Sequence, residues 1–79
     1  MLYKKAIIRR IYELCEEREY SINKLAELSA IPTSTLADII SDRSKNFSYL
    51  IILKICKGLN IELINFYDRE YFKIDKLDY

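Results

Sequence analysis

The chain has no histidine and no tryptophan, and only one glycine and one proline in 79 residues. Its two cysteines, Cys15 and Cys56, stand far apart and form no CxxC pair. A zinc site therefore has almost no ligand supply, and we expect no metal and no cofactor. Scarce Gly and Pro leave few places for long loops and favour helices throughout. No apolar run reaches the roughly 20 residues of a membrane-spanning helix. There is no glycine-rich phosphate loop and no placed carboxylate pair; Glu16, Glu17 and Glu19 read as solvated charges closing a helix. An enzyme is the weakest reading. A strong charge of one sign is also missing: 13 basic and 12 acidic residues leave a net charge of +1. Any nucleic-acid contact must then come from local placement of charge.

What the chain does have is apolar content, 51% of its residues, which excludes disorder for most of its length. Its size makes one domain with a modest core. Cys15 and Cys56 each sit among core-like neighbours, which reads as two reduced, buried thiols in a cytoplasmic protein. A disulfide pinning the first helix to the fourth is the alternative. The start, MLYKKAIIRR, carries charges inside its apolar stretch and no small-residue cleavage site, so it reads as a first helix and not a signal peptide.

Periodicity predicts a first helix from about Tyr3 to Glu17 or Arg18, with Ile7, Ile11, Leu14 and Cys15 as its buried stripe. Lys4, Lys5, Arg9 and Arg10 fall mainly off that stripe. Ser21 offers an N-cap to a second helix over about 22–29, with Lys24 where a capping box would have Glu. A third helix begins at Pro32 or Thr33, since proline suits a first turn, and ends near Ser41. A loop from Asp42 to Phe47 comes next. Ser48 is a second N-cap, for a fourth helix reaching about Gly58, and Asn60 can take the left-handed conformation that ends it. A short fifth helix, from Ile61 or Glu62 to Tyr67, carries Leu63 and Phe66 inward. We divide the chain into a domain over residues 1–67 and a tail over 68–79. The tail, DREYFKIDKLDY, fits neither period. It is extended, a frayed helix, or an arm ordered by a partner.

Residues 21–46, SINKLAELSAIPTSTLADIISDRSKN, carry the most information. Two short helical patterns meet at a tight joint around Ala30 and Ile31. Leu25, Ala26, Ile31, Leu36 and Ile39 fall where two crossed helices bury side chains. The second pattern opens on small hydroxyl residues, and a loop with Arg43 and Lys45 comes after it. That is the layout of a helix-turn-helix. The wider string extends it: Arg10-Ile11 with Glu13-Leu14, Ser21, Leu25-Ala26, Ile31, Ser34-Thr35-Leu36 and Ile39. After the loop come Ser48, Leu53-Lys54-Ile55, Lys57, Leu59, Ile61, Leu63 and Phe66. Over about Arg10 to Tyr67 the chain resembles the Xre-type helix-turn-helix family of phage repressors and Cro proteins. The resemblance implies an all-α, compact five-helix, lambda-repressor-like fold, with the motif formed by helices 2 and 3.

It also implies a double-stranded DNA partner, with the third helix entering the major groove N-terminus first. Thr33, Ser34, Ala37 and Asp38 are then its base-reading positions. Thr33 and Ser34 have hydroxyls that can also serve as helix caps, and Asp38 can accept from cytosine N4 or be a plain surface charge. No Arg, Lys, Asn or Gln projects from this helix, so the strongest, bidentate readout is missing from it. Phosphate contacts fall to Arg43, Ser44, Lys45 and Asn46 in the loop, and to Thr35, Ser21 and Lys24. Four departures from the family pattern stand out. Ala30 replaces the Gly often found at the joint, and Asp42 the Gly that often ends the third helix. Ile40 replaces a Glu that pairs with an Arg of the first helix, which suggests apolar packing instead. Ile22 replaces a Gln at the start of the second helix.

A module with this little readout binds weakly alone, so we expect a homodimer on a near-palindromic site. Leu50, Ile51 and Ile64 stand where family members often have polar residues, and with Tyr67, Tyr71 and Phe72 they are the candidate contacts. The alternative is that the tail folds back over them within one chain. The expected function is a sequence-specific transcriptional regulator, a repressor acting by operator occupancy and, lacking room for a sensor domain, controlled by its level or a partner. The rival is a protein-interaction module, antitoxin-like or an accessory subunit, which the near-neutral charge and Asp38 favour.

Overall fold

The computed structural model describes residues 1–42 and 48–78. Among them lie five α-helices: α1 (Tyr3–Arg18), α2 (Ile22–Ser29), α3 (Thr33–Ile40), α4 (Tyr49–Leu59) and α5 (Leu63–Phe66). Two 3-10 turns, Glu70–Phe72 and Ile74–Lys76, come after them. The helices close around one core. Ile7, Ile11, Leu14 and Cys15 enter it from α1, Leu25 and Ala26 from α2, and Leu36 and Ile39 from α3. Ile52, Ile55, Cys56 and Leu59 enter from α4, and Phe66 from α5. Both cysteines are free and buried, and burial pushes both thiols up from their ordinary pKa. No helix of the described residues is long and apolar enough to cross a membrane.

The helix ends are made with almost no glycine. Glu19, Ala30, Asp42 and Asn60 all take positive φ, between 55° and 64°. Asn60 ends α4 as its residue type suggests, with the Ile61 N–H donating to the Cys56 carbonyl at 2.9 Å. Ala30 does the same for α2 without that aptitude. A left-handed alanine costs about 1 kcal/mol relative to glycine. Ser48 holds the N-cap position of α4, but its side chain accepts no capping bond.

The only glycine serves a different purpose. Gly58 lies inside α4, where its φ is ordinary, at the point where α4 crosses the end of α2. A Cβ there would stand 2.6 Å from the Leu28 carbonyl oxygen and 2.9 Å from the Ser29 Cα. Both are backbone atoms and cannot rotate away.

Three expectations are corrected. Arg10 is not off the buried stripe: it is 3% exposed. Position 10 lies between Ile7 and Leu14 on the same helical face, and a positive charge fits there because α5 ends beside it. Its Nε donates to the Phe66 carbonyl at 2.7 Å and its Nη2 to the Asn65 carbonyl at 3.0 Å. Leu63, expected inward, is 44% exposed, and Phe66 alone fills the core from α5. The tail, read as extended, a frayed helix or an arm ordered by a partner, instead follows the alternative of folding back within one chain. It folds back on α1 and α5: the Phe72 ring meets Tyr67 edge-on at 4.9 Å, with Phe66 at 6.2 Å and Tyr3 at 6.5 Å. The Asp78 N–H donates to the Met1 carbonyl, and the Tyr3 N–H to the Asp78 carbonyl, so the two ends of the described chain are tied together.

Two substitutions should move stability in opposite directions. Gly58→Ala should destabilise by about 1–2 kcal/mol, because backbone overpacking outweighs the gain in helix propensity. Ala30→Gly should stabilise by about 1 kcal/mol through relief of the left-handed strain. Urea unfolding of wild type and both variants at one temperature checks the pair; a Gly58→Ala midpoint at or above wild type, or an Ala30→Gly midpoint at or below it, would contradict the corresponding assignment.

Candidate nucleic-acid interface

The pair α2–α3 is built outward from its inner face. Ser21 caps α2, its hydroxyl oxygen accepting from the Lys24 N–H at 3.1 Å. Leu25 and Ala26 then point into the core, and Ile22 packs partly buried against it. The left-handed turn at Ala30 sends the chain across: Ile31 drops back into the core and its N–H reaches the Ala26 carbonyl at 3.0 Å. That six-residue closure with an apolar residue just beyond it is the Schellman arrangement. It fixes the angle at which α3 departs.

Within α3 the period does the sorting. Leu36 and Ile39 are buried, and Ile40 is half-buried against the core. Thr33, Ser34 and Asp38 are exposed, with Ala37 half-buried between them. These four, one helical turn apart, share the outer face. Thr35 is exposed as well. Pro32 occupies the N-cap position with no side-chain capping bond, so Thr33 is the first helical residue and not the cap. The first-turn N–H groups of α3 are thus left to an outside acceptor, which a helix N-terminus favours when that acceptor is negative. At the other end the Ser41 hydroxyl donates to the Asp38 carbonyl at 3.3 Å.

Ile40 packs where the resemblance would have placed a glutamate, yet an ionic link between α1 and the end of α3 exists two residues on. The Asp42 carboxylate meets Lys4 Nζ at 2.8 Å through one oxygen and Lys5 Nζ at 2.5 Å through the other. Hydrogen bonds from these two lysines hold its pKa down to about 2. Reading residue types along the sequence misses this trio. The available signal is two cations in the first turn of a helix, the wrong sign for that end.

Ser21 and Lys24 are exposed at the start of α2. Arg43, Ser44, Lys45 and Asn46 lie outside the described residues. Of the apolar candidates, Leu50 is 50% and Ile64 77% exposed, while Ile51 is half-buried against the core. Tyr67, Tyr71 and Phe72 are half-buried within the chain's own aromatic cluster. The Tyr3 and Tyr67 hydroxyls meet at 2.8 Å. Tyr71 donates to the Glu13 carboxylate, and Arg9 stacks over its ring at 4.6 Å. Burial and these partners raise both Tyr67 and Tyr71 above the ordinary tyrosine pKa.

The model of one protein family, the Cro/C1-type HTH DNA-binding domain, matches residues 10–69. No curated protein and no solved structure matches the chain.

Proposed function

This chain belongs to the Cro/C1-type HTH DNA-binding domain family, and from that premise we propose that it is a sequence-specific regulator that represses by occupying an operator. One observation carries the reading: the Thr33–Asp38 face of α3 is left open on a helix pair whose opposite face is locked into the core. In the complex α3 lies N-terminus first in the major groove. The Thr33 and Ser34 hydroxyls exchange hydrogen bonds with base edges, the Ala37 methyl meets a thymine methyl, and Asp38 accepts from a cytosine amino group. The first-turn N–H groups of α3, with Thr35, Ser21, Lys24 and the loop residues Arg43, Ser44, Lys45 and Asn46, take phosphates.

Hydroxyl, methyl and shape terms discriminate modestly, so two copies share one near-palindromic site with half-site centres about 34 Å apart. Leu50 and Ile64 supply the contact between copies, and Ile51 supports it. Tyr67, Tyr71 and Phe72 contribute by shaping α5 and the tail from within. A protein-binding use of the same face is the second reading, favoured by the exposed carboxylate of Asp38. A salt titration on random duplex separates the two: phosphate binding loses affinity steeply as salt rises, whereas a flat response would remove the DNA reading.

Two variants test the residue roles. Lys45→Ala should weaken binding to every sequence alike and lower the salt slope by about one unit. An unchanged slope would take the loop out of the interface. Ser34→Ala should alter preference among selected sites more than overall affinity, as read by sequencing duplexes retained from a random pool. Identical preferences in the two proteins would remove Ser34 from the readout.

A further inference from the structure

Lys4 and Lys5 occupy the first turn of α1, which contains no acidic residue. Two ammonium groups there oppose the helix dipole, whose N-terminal end already carries partial positive charge. The Asp42 carboxylate bridges them with one oxygen to each, at 2.8 and 2.5 Å. A phosphodiester also presents two charged oxygens from one centre. The trio keeps one net positive charge, and the Lys5 side chain is 54% exposed. The Lys5 arm is open enough to water to contribute little and exchange readily, while Lys4 (28% exposed) and Asp42 (33%) are half-buried.

Place in the fold gives the trio its meaning. Asp42 comes directly after α3 and Ser41. The start of α1 is thereby fixed within ion-pair reach of the C-terminal end of the reading helix. When such a helix lies in the groove N-terminus first, the chain leaving its C-terminal end runs beside the sugar-phosphate backbone.

We infer that Lys4 and Lys5 form a further phosphate-binding site, gripping the backbone flanking each half-site, and that Asp42 occupies it in the free protein as an internal substitute for phosphate. This rests on the DNA reading above and adds a second strand contact to it, from a helix outside the reading pair. Docking exchanges the carboxylate for a phosphodiester on the same two ammonium groups. The Asp42 charge then stays nearby and opposes binding, so the site is self-limiting: it favours release from random sequence, where no base contacts compensate.

The test is a salt titration of binding to a random-sequence duplex of about thirty base pairs, long enough for two half-sites. It compares wild type, Asp42→Asn, the double variant Lys4→Ala/Lys5→Ala, and the charge-retaining Lys4→Arg/Lys5→Arg. Asparagine accepts the positive φ of 64° at position 42, so that exchange removes charge and keeps the backbone. The alanine double variant should lower the slope by one to two units and lose roughly tenfold or more in affinity near 0.1 M salt. The arginine variant should keep the wild-type slope. Asp42→Asn should bind several-fold tighter with a steeper slope. If the carboxylate only fastens α3 to α1, Asp42→Asn weakens binding in step with a lowered melting temperature and the slope does not move; that result overturns the inference. So does an unchanged slope in the alanine variant while wild type remains salt-sensitive. Failure of the DNA reading itself shows separately, as a wild-type curve with no salt dependence.

Discussion

The whole outer face of α3 depends on how closely α4 and α2 cross. The Gly58 Cα lies so near the Leu28 carbonyl that no side chain fits between them. That approach seats Leu25 and Ala26 against α4 and leaves the end of α2 with one position available to it. The turn at Ala30 starts from there, and the Ile31–Ala26 closure passes the placement on to α3. Because Leu36 and Ile39 must then enter the core, Thr33, Ser34 and Asp38 are turned to the exposed side of α3. Exposure of that face is set by packing elsewhere, and the left-handed Ala30 shows that geometry took precedence over local preference at the joint.

A second set of ties makes α1 the spine of the molecule. Arg10 satisfies the two carbonyls at the end of α5, and Glu13 gathers Tyr71 and Arg69 from the tail, the latter at 3.4 Å. Phe72 finishes the closure by sitting among Tyr3, Phe66 and Tyr67. The family match stops at residue 69, yet the chain before position 10 and the chain after 69 meet in the bonds between Met1, Tyr3 and Asp78. The segments outside the matched region brace each other and, with them, the turn that carries Lys4 and Lys5.

The helices and the outer face of α3 are legible in the sequence because their signals are local. Apolar period places Leu36 and Ile39 inward, and period alone then puts Thr33, Ser34, Ala37 and Asp38 outward. Ser21 and Asn60 announce helix ends by residue type. The features that escape such a reading depend on partners distant along the chain. Arg10 shares the apolar face of α1, but its charge argues for solvent until the end of α5 is seen beside it. The tail has no period because its aromatic residues are held by Tyr3 and Phe66, not by a helix of their own. Leu63 fits the family string yet lies open, since a helix as short as α5 turns only one large side chain, Phe66, fully inward. Gly58 reads in sequence as a costly residue near a helix end, and only the crossing explains it.

Charge along α1 is divided by sign. Its first half carries Lys4, Lys5, Arg9 and Arg10, whereas Glu13, Glu16 and Glu17 in its second half and Glu19 just beyond are acidic, with Arg18 the exception. Both ends run against the helix dipole, so the helix gains nothing from this order by itself. Tertiary partners offset it: Asp42 arrives at the basic end from α3, and Arg69 at the acidic end from the tail, 3.6 Å from Glu17. A net charge of +1 therefore hides an uneven division of charge along α1, part of it paired within the helix, where Arg9 and Arg10 each lie 3.6 Å from Glu13. The start of α1 adjoins the C-terminal end of α3, and its acidic end is the one covered by the tail. A near-neutral total is thus no argument against local binding of an anion, since the lysines and the glutamates of α1 stand toward opposite ends of the helix.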